Sequence, residues 1–340
     1  MPSTGAPETT FREVRHFLSK HPAALGEERA SLMRVLEAFA RANEDPSTSE
    51  NFANGGTDRW DEITRLLRDP LIEEDDPVLM LALKCFKILS RKHENRMTLG
   101  ESGVSAVCRV LKKAYANPRV VAEAANVVLN VCYERPNVDL VIKCGGVPPL
   151  VKALCASDRD LAANAAGAIQ SVCFQESGCA AVRETGTAIP SLVSLLASPT
   201  VKVQTRAVGA LHNLSSDADA IRTIRKQGGI PKLVTLLSND APGICGSAAG
   251  ALQNVSREVA SRAEIKELGA VPLLAELLPG ADLQAQVCAA GALLNILGPE
   301  LGEKTTDPAR AGFGKVLSCT IALSAVYDSM YGEAPQPPLV

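Results

Sequence analysis

The stretch GGIPKLVTLLSNDAPGICGSAAGALQNVS, residues 228–256, contains the two phrases that recur along this 340-residue chain. The first phrase, GGIPKLVTLL, returns with small changes, and its proline lies at Pro148, Pro190, Pro231 and Pro272. The second phrase, GALQNVS, returns as NVVLNVC, GAIQSVC, GALHNLS and GALLNIL, and its fifth residue is Asn130, Ser171, Asn213, Asn254 or Asn295. Both phrases keep a spacing of 41 or 42 residues. The chain is therefore predicted to be an array of similar structural units.

Each unit is predicted to contain three helices. In the quoted copy, a first helix over residues 218–227 ends at Gly228, where glycine accepts the positive φ that stops a helix. Pro231 then lies in the first turn of a second helix, where its missing N–H costs nothing. A polar turn leads into a longer third helix over residues 242–257. Small residues would let the third helices of neighbouring units approach closely: Gly246, Ala249 and Gly250.

The pattern G-[GA]-[VI]-P-x-L-[VA]-x-x-L followed by A-A-G-A-[LI]-x-N resembles that of the armadillo repeat family. One copy departs from it, with Thr187 in place of the first glycine and Ser171 in place of the asparagine. The resemblance implies an all-α fold: a right-handed α-solenoid of three-helix repeats with degenerate capping units at both ends. Stacked repeats of this kind form a superhelix with a concave groove.

The domain organisation follows from where the pattern holds. Residues 1–58 are predicted to be an N-terminal helical segment and a polar linker. Residues 59–300 form the solenoid, with a degenerate repeat at 59–93 before five clear repeats at 94–300. Residues 301–340 are expected to supply a C-terminal capping helix and a disordered tail. The helices expected outside the clear repeats span residues 11–20, 27–43, 60–67, 77–92 and 309–331.

The recurring asparagines are the first candidates for a binding site. The resemblance implies that the third helices line the groove and that these side chains hold the backbone of an extended peptide. An amide suits that task because it donates and accepts hydrogen bonds at once. The ladder residues are Asn130, Ser171, Asn213, Asn254 and Asn295. Alternatively, each asparagine could satisfy helix-terminal carbonyls between repeats, and both roles can coexist.

Other groove-facing positions follow from helical spacing, seven residues before or three residues after the ladder residue. The side chains selected in this way are Glu123, Tyr133, Phe174, Arg206 and Arg257. In nuclear-import receptors of the family, of the importin-alpha type, tryptophans stand four residues before the ladder residue. Here none of those positions is tryptophan, which argues against a nuclear-localisation-signal receptor of that type. The mixed charges also lack the uniform basic lining associated with catenin-type recognition of acidic peptides.

Composition excludes several classes of function. Lys+Arg 35 against Asp+Glu 38 gives a net charge of −3, which argues against a general nucleic-acid binder or a polybasic membrane protein. The N-terminus has no apolar signal region, and no apolar stretch is long enough for a membrane anchor. The 10 cysteines form no CxxC pair and lie mostly in apolar helical patterns. Buried free thiols in a reducing, cytoplasmic compartment are expected, with no metal site.

The sequence favours a binding protein over an enzyme. No phosphate-binding loop, nucleophile elbow, zinc-protease or dinucleotide motif occurs, so we expect no catalytic residues and no cofactor. The leading hypothesis is a protein–protein interaction scaffold or adaptor that holds an extended or helical segment of a partner protein in its groove. The alternative is a structural component of a cytoskeletal or ciliary assembly that uses its convex faces and ends.

Overall fold

A computed structural model describes residues 12–20, 28–45, 59–113 and 117–301. Within these ranges all regular secondary structure is helical, which confirms the predicted all-α fold. The chain divides into two compact units, residues 1–185 and residues 186–340. The polar linker and the capping helix expected at 309–331 lie outside the described residues, and the domain boundaries drawn from the sequence stay predictions.

The first unit contains helices whose bounds are α1 (Arg12–Lys20), α2 (Arg29–Ala42), α3 (Arg59–Arg68), α4 (Pro70–Glu73), α5 (Asp76–Leu89), α6 (His93–Thr98), α7 (Gly100–Lys113), α8 (Pro118–Val131), α9 (Arg135–Lys143), α10 (Val147–Ala153), α11 (Arg159–Val172) and α12 (Glu176–Glu184). Helices α2, α5, α8 and α11 pack in that order, each along the next. Of these, α5, α8 and α11 are the third helices of the predicted repeats. Helices α3, α7 and α10 pack on α5, α8 and α11, respectively.

The second unit contains α13 (Ala188–Leu195), α14 (Val201–Leu214), α15 (Ala218–Lys226), α16 (Gly229–Leu236), α17 (Pro242–Val255), α18 (Val259–Glu267), α19 (Ala270–Leu277) and α20 (Leu283–Leu301). Its third helices are α14, α17 and α20, and α17 packs along both of the others. The shorter helices α13, α16 and α19 each pack on the third helix that follows them in sequence.

The repeat formed by α15, α16 and α17 confirms the predicted three-helix unit. The Asp217 side chain caps the start of α15 by accepting a hydrogen bond from the Ala220 N–H at 2.8 Å. Gly228 follows α15 with a φ of 68°, as the sequence predicted. Pro231 lies in the first turn of α16, where no helical N–H partner is needed.

Small residues set how closely the third helices pack. A Cβ atom placed on Gly246 of α17 would lie 3.3 Å from the Cβ of Ala285 on α20. A Cβ placed on Gly250 would lie 2.5 Å from atoms of the His212 imidazole on α14. Larger side chains at either glycine would push the repeats apart, so the glycines predicted to allow close packing do so.

The core is aliphatic, in keeping with an aromatic content of 4%. Leucine, isoleucine, valine and alanine dominate the buried set, and Phe86 is the largest fully buried side chain among the described residues. The cysteines named from the apolar patterns are also buried: Cys85, Cys108, Cys132, Cys173 and Cys288. Each described cysteine is a free thiol, and burial raises the pKa of Cys108 to about 12. These thiols pack as small apolar groups.

A pair of glycines tests the packing of these helices. Gly178 and Gly243 both lie in the first turn of a helix, but a Cβ on Gly178 would overlap the carbonyl group of Val172, whereas a Cβ on Gly243 has no neighbour within 4 Å. We expect Gly178→Ala to lower the free energy of unfolding by about 1–3 kcal/mol, because backbone must move to make room. The matched change Gly243→Ala should alter it by no more than about 0.5 kcal/mol. Urea unfolding followed by circular dichroism measures both, and equal effects would contradict the packing.

Candidate functional site

The ladder asparagine of α17 links neighbouring third helices. The Asn254 Nδ2 group donates hydrogen bonds to Ser215 Oγ at 3.1 Å and to the His212 carbonyl oxygen at 3.4 Å. Ser215 Oγ in turn donates to the same His212 oxygen at 2.6 Å. The three groups therefore satisfy the C-terminal end of α14, whose last carbonyls have no partner within the helix. We call this arrangement the Asn–Ser clasp.

The Asn–Ser clasp occurs at two further positions, one in each unit. The Asn295 Nδ2 group donates to Ser256 Oγ at 3.0 Å and to the Gln253 carbonyl at 3.1 Å. In the first unit, the Asn130 Nδ2 group donates to Ser90 Oγ at 3.2 Å and to the Lys87 carbonyl at 3.3 Å. The interpretation that asparagine satisfies helix-terminal carbonyls between repeats is therefore confirmed at these three positions.

Sequence reasoning missed the serine that accepts a hydrogen bond from each of these asparagines. Ser90, Ser215 and Ser256 each stand two residues after a ladder position, and each is followed one repeat later by a ladder asparagine. Within the first unit, Cys132 takes the place of this serine. The next ladder residue there is Ser171, which is buried on α11. A thiol is a weak hydrogen-bond partner, so an asparagine at 171 would gain less from such a clasp.

The Asn–Ser clasp leaves one half of each amide available. The donor atoms Nδ2 are used within the stack, whereas Oδ1 of Asn130, Asn254 and Asn295 accepts no hydrogen bond from the described residues. Asn213, Asn254 and Asn295 are half-buried, and Asn130 is 8% exposed. In the second unit, a ligand would meet the amide oxygens of Asn254 and Asn295, and only groups that donate hydrogen bonds could use them.

The predicted side chains of the first unit have varied surroundings. Glu123 on α8 accepts from the Lys87 ammonium of α5 at 2.7 Å, and both side chains are largely buried. Tyr133 lies beneath Arg96, whose guanidinium carbon is 5.5 Å from the ring centroid. Phe174 is 41% exposed. The structure thus uses Glu123 to join two third helices and leaves Phe174 on the surface.

The two predicted arginines of the second unit differ from each other. Arg206 on α14 is half-buried and has no hydrogen bond or ion pair with the described residues. Arg257 is exposed, and its Nη2 group donates to the Ser215 and Ser216 carbonyls, each at 2.9 Å. Its Nε also donates to the Asn254 carbonyl at 3.2 Å. Arg257 is therefore fixed across the C-terminal ends of α14 and α17, next to the Asn–Ser clasp.

Side chains of the preceding repeat fill the space at two of the positions four residues before a ladder asparagine, Gly250 and Gly291. The His212 imidazole covers Gly250, and the Gln253 amide covers Gly291 in the same way one repeat later. Burial lowers the pKa of His212, because removing the ring from water disfavours its charged form. The surface of the second unit therefore presents a neutral imidazole at neutral pH where an import receptor would carry a tryptophan.

The described residues contain neither a metal-ligating cluster nor a membrane-spanning helix. In the part of the chain that the structure describes, no group of three or more His, Cys, Asp and Glu side chains could hold a metal ion. Among the described helices, none combines the length and apolar character that crossing a bilayer requires.

Comparison with known proteins identifies the repeat. The family model of the armadillo/beta-catenin-like repeat matches residues 134–174, 188–216 and 217–257. Of the similar solved structures, an engineered protein from a structural genomics consortium is 26% identical, with a TM-score of 0.64 over 70% of this chain and 97% of that one. No curated protein sequence gives a significant match.

Two designed proteins share the fold. A designed armadillo repeat protein has a TM-score of 0.64 at 23% identity, over 70% of this chain and 99% of its own. A designed armadillo repeat protein in complex with the peptide (KR)4 has a TM-score of 0.61 at 23% identity, again over 70% and 99%. The armadillo resemblance inferred from the sequence is thereby confirmed.

The Asn–Ser clasp predicts coupling between two side chains. Asn254→Ala and Ser215→Ala each remove part of one hydrogen-bonded group, so we expect each to lower the free energy of unfolding by about 1 kcal/mol. The double variant should lose less than the sum, with a coupling of about 0.5–1.5 kcal/mol. As a control, Ser215→Ala combined with Asn295→Ala affects two different clasps and should be additive. Urea unfolding measures all of these variants, and additivity in the first pair would contradict a shared network.

Because the His212 imidazole is buried, the free energy of unfolding is expected to depend on pH. The folded chain resists protonation of His212, whereas the unfolded chain takes up the proton near the ordinary histidine pKa of about 6.5. The free energy of unfolding should therefore fall as the pH drops through that value. Gln253 occupies the corresponding space over Gly291, so glutamine is a suitable replacement at position 212. We expect His212→Gln to lose less stability than wild type between about pH 7.5 and 5.5. The exposed His16→Gln serves as control and should follow wild type in urea unfolding. A fall for His212→Gln equal to that of wild type would contradict the assignment.

Proposed function

We propose that this chain, which carries armadillo repeats, is a non-enzymatic interaction scaffold that binds an extended segment of a partner protein along its third helices. The observation that supports the proposal is the row of Oδ1 atoms that the Asn–Ser clasps leave without a donor. A clasp holds each amide in a fixed orientation, so its oxygen is positioned before any ligand binds. Preorganised acceptors of this kind lower the entropic cost of binding.

The spacing of the third helices suits an extended chain. Helices that pack together lie about 8–10 Å apart. An extended backbone rises about 3.3 Å for each residue, so neighbouring asparagines would contact every second or third residue of a bound segment. The second unit offers such a row on its own, because Asn254 and Asn295 lie on its adjacent helices α17 and α20.

Relatives of the fold support a peptide ligand. A designed armadillo repeat protein was solved with the peptide (KR)4 bound. Another structure with this fold was designed for modular peptide recognition. In this chain the partner would be a protein or peptide, and its identity would depend on the side chains between the asparagines. Because the described cysteines are free thiols, we place the scaffold in a reducing compartment such as the cytoplasm.

A matched pair of variants tests the proposal. Asn254→Ala removes both the clasp donor and the open acceptor, whereas in Ser215→Ala the Asn254 amide keeps its hydrogen bond to the His212 carbonyl, which still orients Oδ1. A phage library of random peptides, about 12 residues long, would be selected on the full-length wild-type protein. We expect peptides that bind wild type and Ser215→Ala but bind Asn254→Ala on the order of ten-fold more weakly, as loss of a desolvated hydrogen bond requires.

The outcomes separate the two functions derived from the sequence. Peptides that lose affinity only with Asn254→Ala support binding at the ladder. If the selected peptides bind all three proteins equally, the ladder is not the binding surface. That result would favour the alternative, a structural component of a cytoskeletal or ciliary assembly that contacts partners through its convex faces and ends.

A further inference from the structure

Two of the three third helices of the second unit, α14 and α17, contain no acidic residue. Helices α14 and α17 contain Lys202 and Arg206 but no aspartate or glutamate, and Arg257 follows α17 directly. The third helices of the first unit differ, because α8 and α11 each contain both acidic and basic residues. The surface that carries Asn213 and Asn254 is therefore the more positive of the two.

Two acidic residues near this surface, Glu258 and Asp282, are engaged elsewhere. Glu258 pairs with Arg225 of α15 at 2.8 Å. Asp282 lies beside Gly246, and its carboxylate caps the start of α20 by accepting from the Gln284 and Ala285 N–H groups at 2.9 and 3.1 Å. Both carboxylates thus have cationic or helix-terminal partners. Neither forms an ion pair with Arg206 or Arg257.

Arg206 is a half-buried cation that no described residue neutralises. It precedes Asn213 by seven residues, which is close to two helical turns, so both lie on the same face of α14. The distance between their positions along the helix is about 10 Å. A guanidinium that is partly removed from water without a counter-ion gains from an external anion, and its planar fork fits a carboxylate.

Arg257 lies on the other side of the ladder asparagines from Arg206. It follows Asn254 by three residues, and its Nη2 and Nε groups are fixed by the carbonyls of Ser215, Ser216 and Asn254. Its Nη1 group makes no hydrogen bond with the described residues. The guanidinium is therefore held in place with one donor group free, as a preorganised anion contact requires.

We propose that the segment bound by the second unit is acidic, with carboxylates that pair with Arg206 on one flank and Arg257 on the other. This inference rests on the proposed function, since it names the class of peptide held there. Successive side chains of an extended peptide point to opposite sides. A segment that crosses α14 and α17 over the asparagines would thus direct alternate acidic residues to the two arginines.

The peptides selected on the wild-type protein test the proposal. Those that depend on Asn254 are expected to be enriched in Asp and Glu, with acidic residues in both the odd and the even positions. Arg206→Glu should weaken their binding on the order of ten-fold, because a like charge then faces the ligand. Lys226→Glu makes the same change of charge on the exposed end of α15, outside the third helices, and should leave the affinity within about two-fold. Fluorescence anisotropy with synthetic peptides measures both variants.

A charge exchange completes the experiment. For each ladder-dependent peptide, one acidic residue at a time is replaced by Lys, and we expect one of these peptides to bind Arg206→Glu more tightly than it binds wild type. Ladder-dependent peptides that are neutral or basic would overturn the acidic assignment and leave the proposed function standing. Acidic peptides that bind Arg206→Glu as well as wild type would also overturn it. If no ladder-dependent peptide is selected at all, the proposed function fails together with this inference.

Discussion

The Asn–Ser clasp is the interaction on which the repeated architecture depends. Third helices packed through glycine and alanine end inside the stack, where their last carbonyls lose water and have no helical partner. A buried acceptor without a partner costs about 1–3 kcal/mol, and Asn130, Asn254 and Asn295 each supply such a donor. Asn254 supplies it to the end of α14, and Ser215 turns its hydroxyl to the same carbonyl. The next repeat can then pack directly on a satisfied surface.

The same interaction shapes the candidate site. Because the clasp uses Nδ2, it fixes the amide plane and leaves Oδ1 as the atom available to a ligand. In the proposed function, stability and binding would therefore be carried by opposite ends of one side chain. A serine in the clasp can be changed to alter stability alone, whereas a change of the asparagine alters both. Arg257, which holds the adjacent carbonyls of Ser215 and Ser216, combines the two roles in a similar way.

Close packing also decides which ligands the surface can accept. The His212 ring and the Gln253 amide occupy the spaces above Gly250 and Gly291, so no aromatic clamp for a lysine side chain exists there. The unneutralised guanidinium of Arg206 lies on the same surface. Together these features are the basis of our proposal that the second unit binds a ligand with carboxylates and not a basic peptide such as (KR)4.

The sequence by itself determined the period, the three helices of each repeat, the aliphatic core and the positions of the ladder residues. These properties follow from local rules, since helical spacing and turn residues act over a few positions. Only the tertiary structure decided that Asn254 donates to Ser215, that Glu123 pairs with Lys87 and that Arg206 has no counter-ion among the described residues. Such contacts join residues about one repeat apart in the chain. They depend on how one helix is rotated against the next, and that rotation is set by packing across the whole interface.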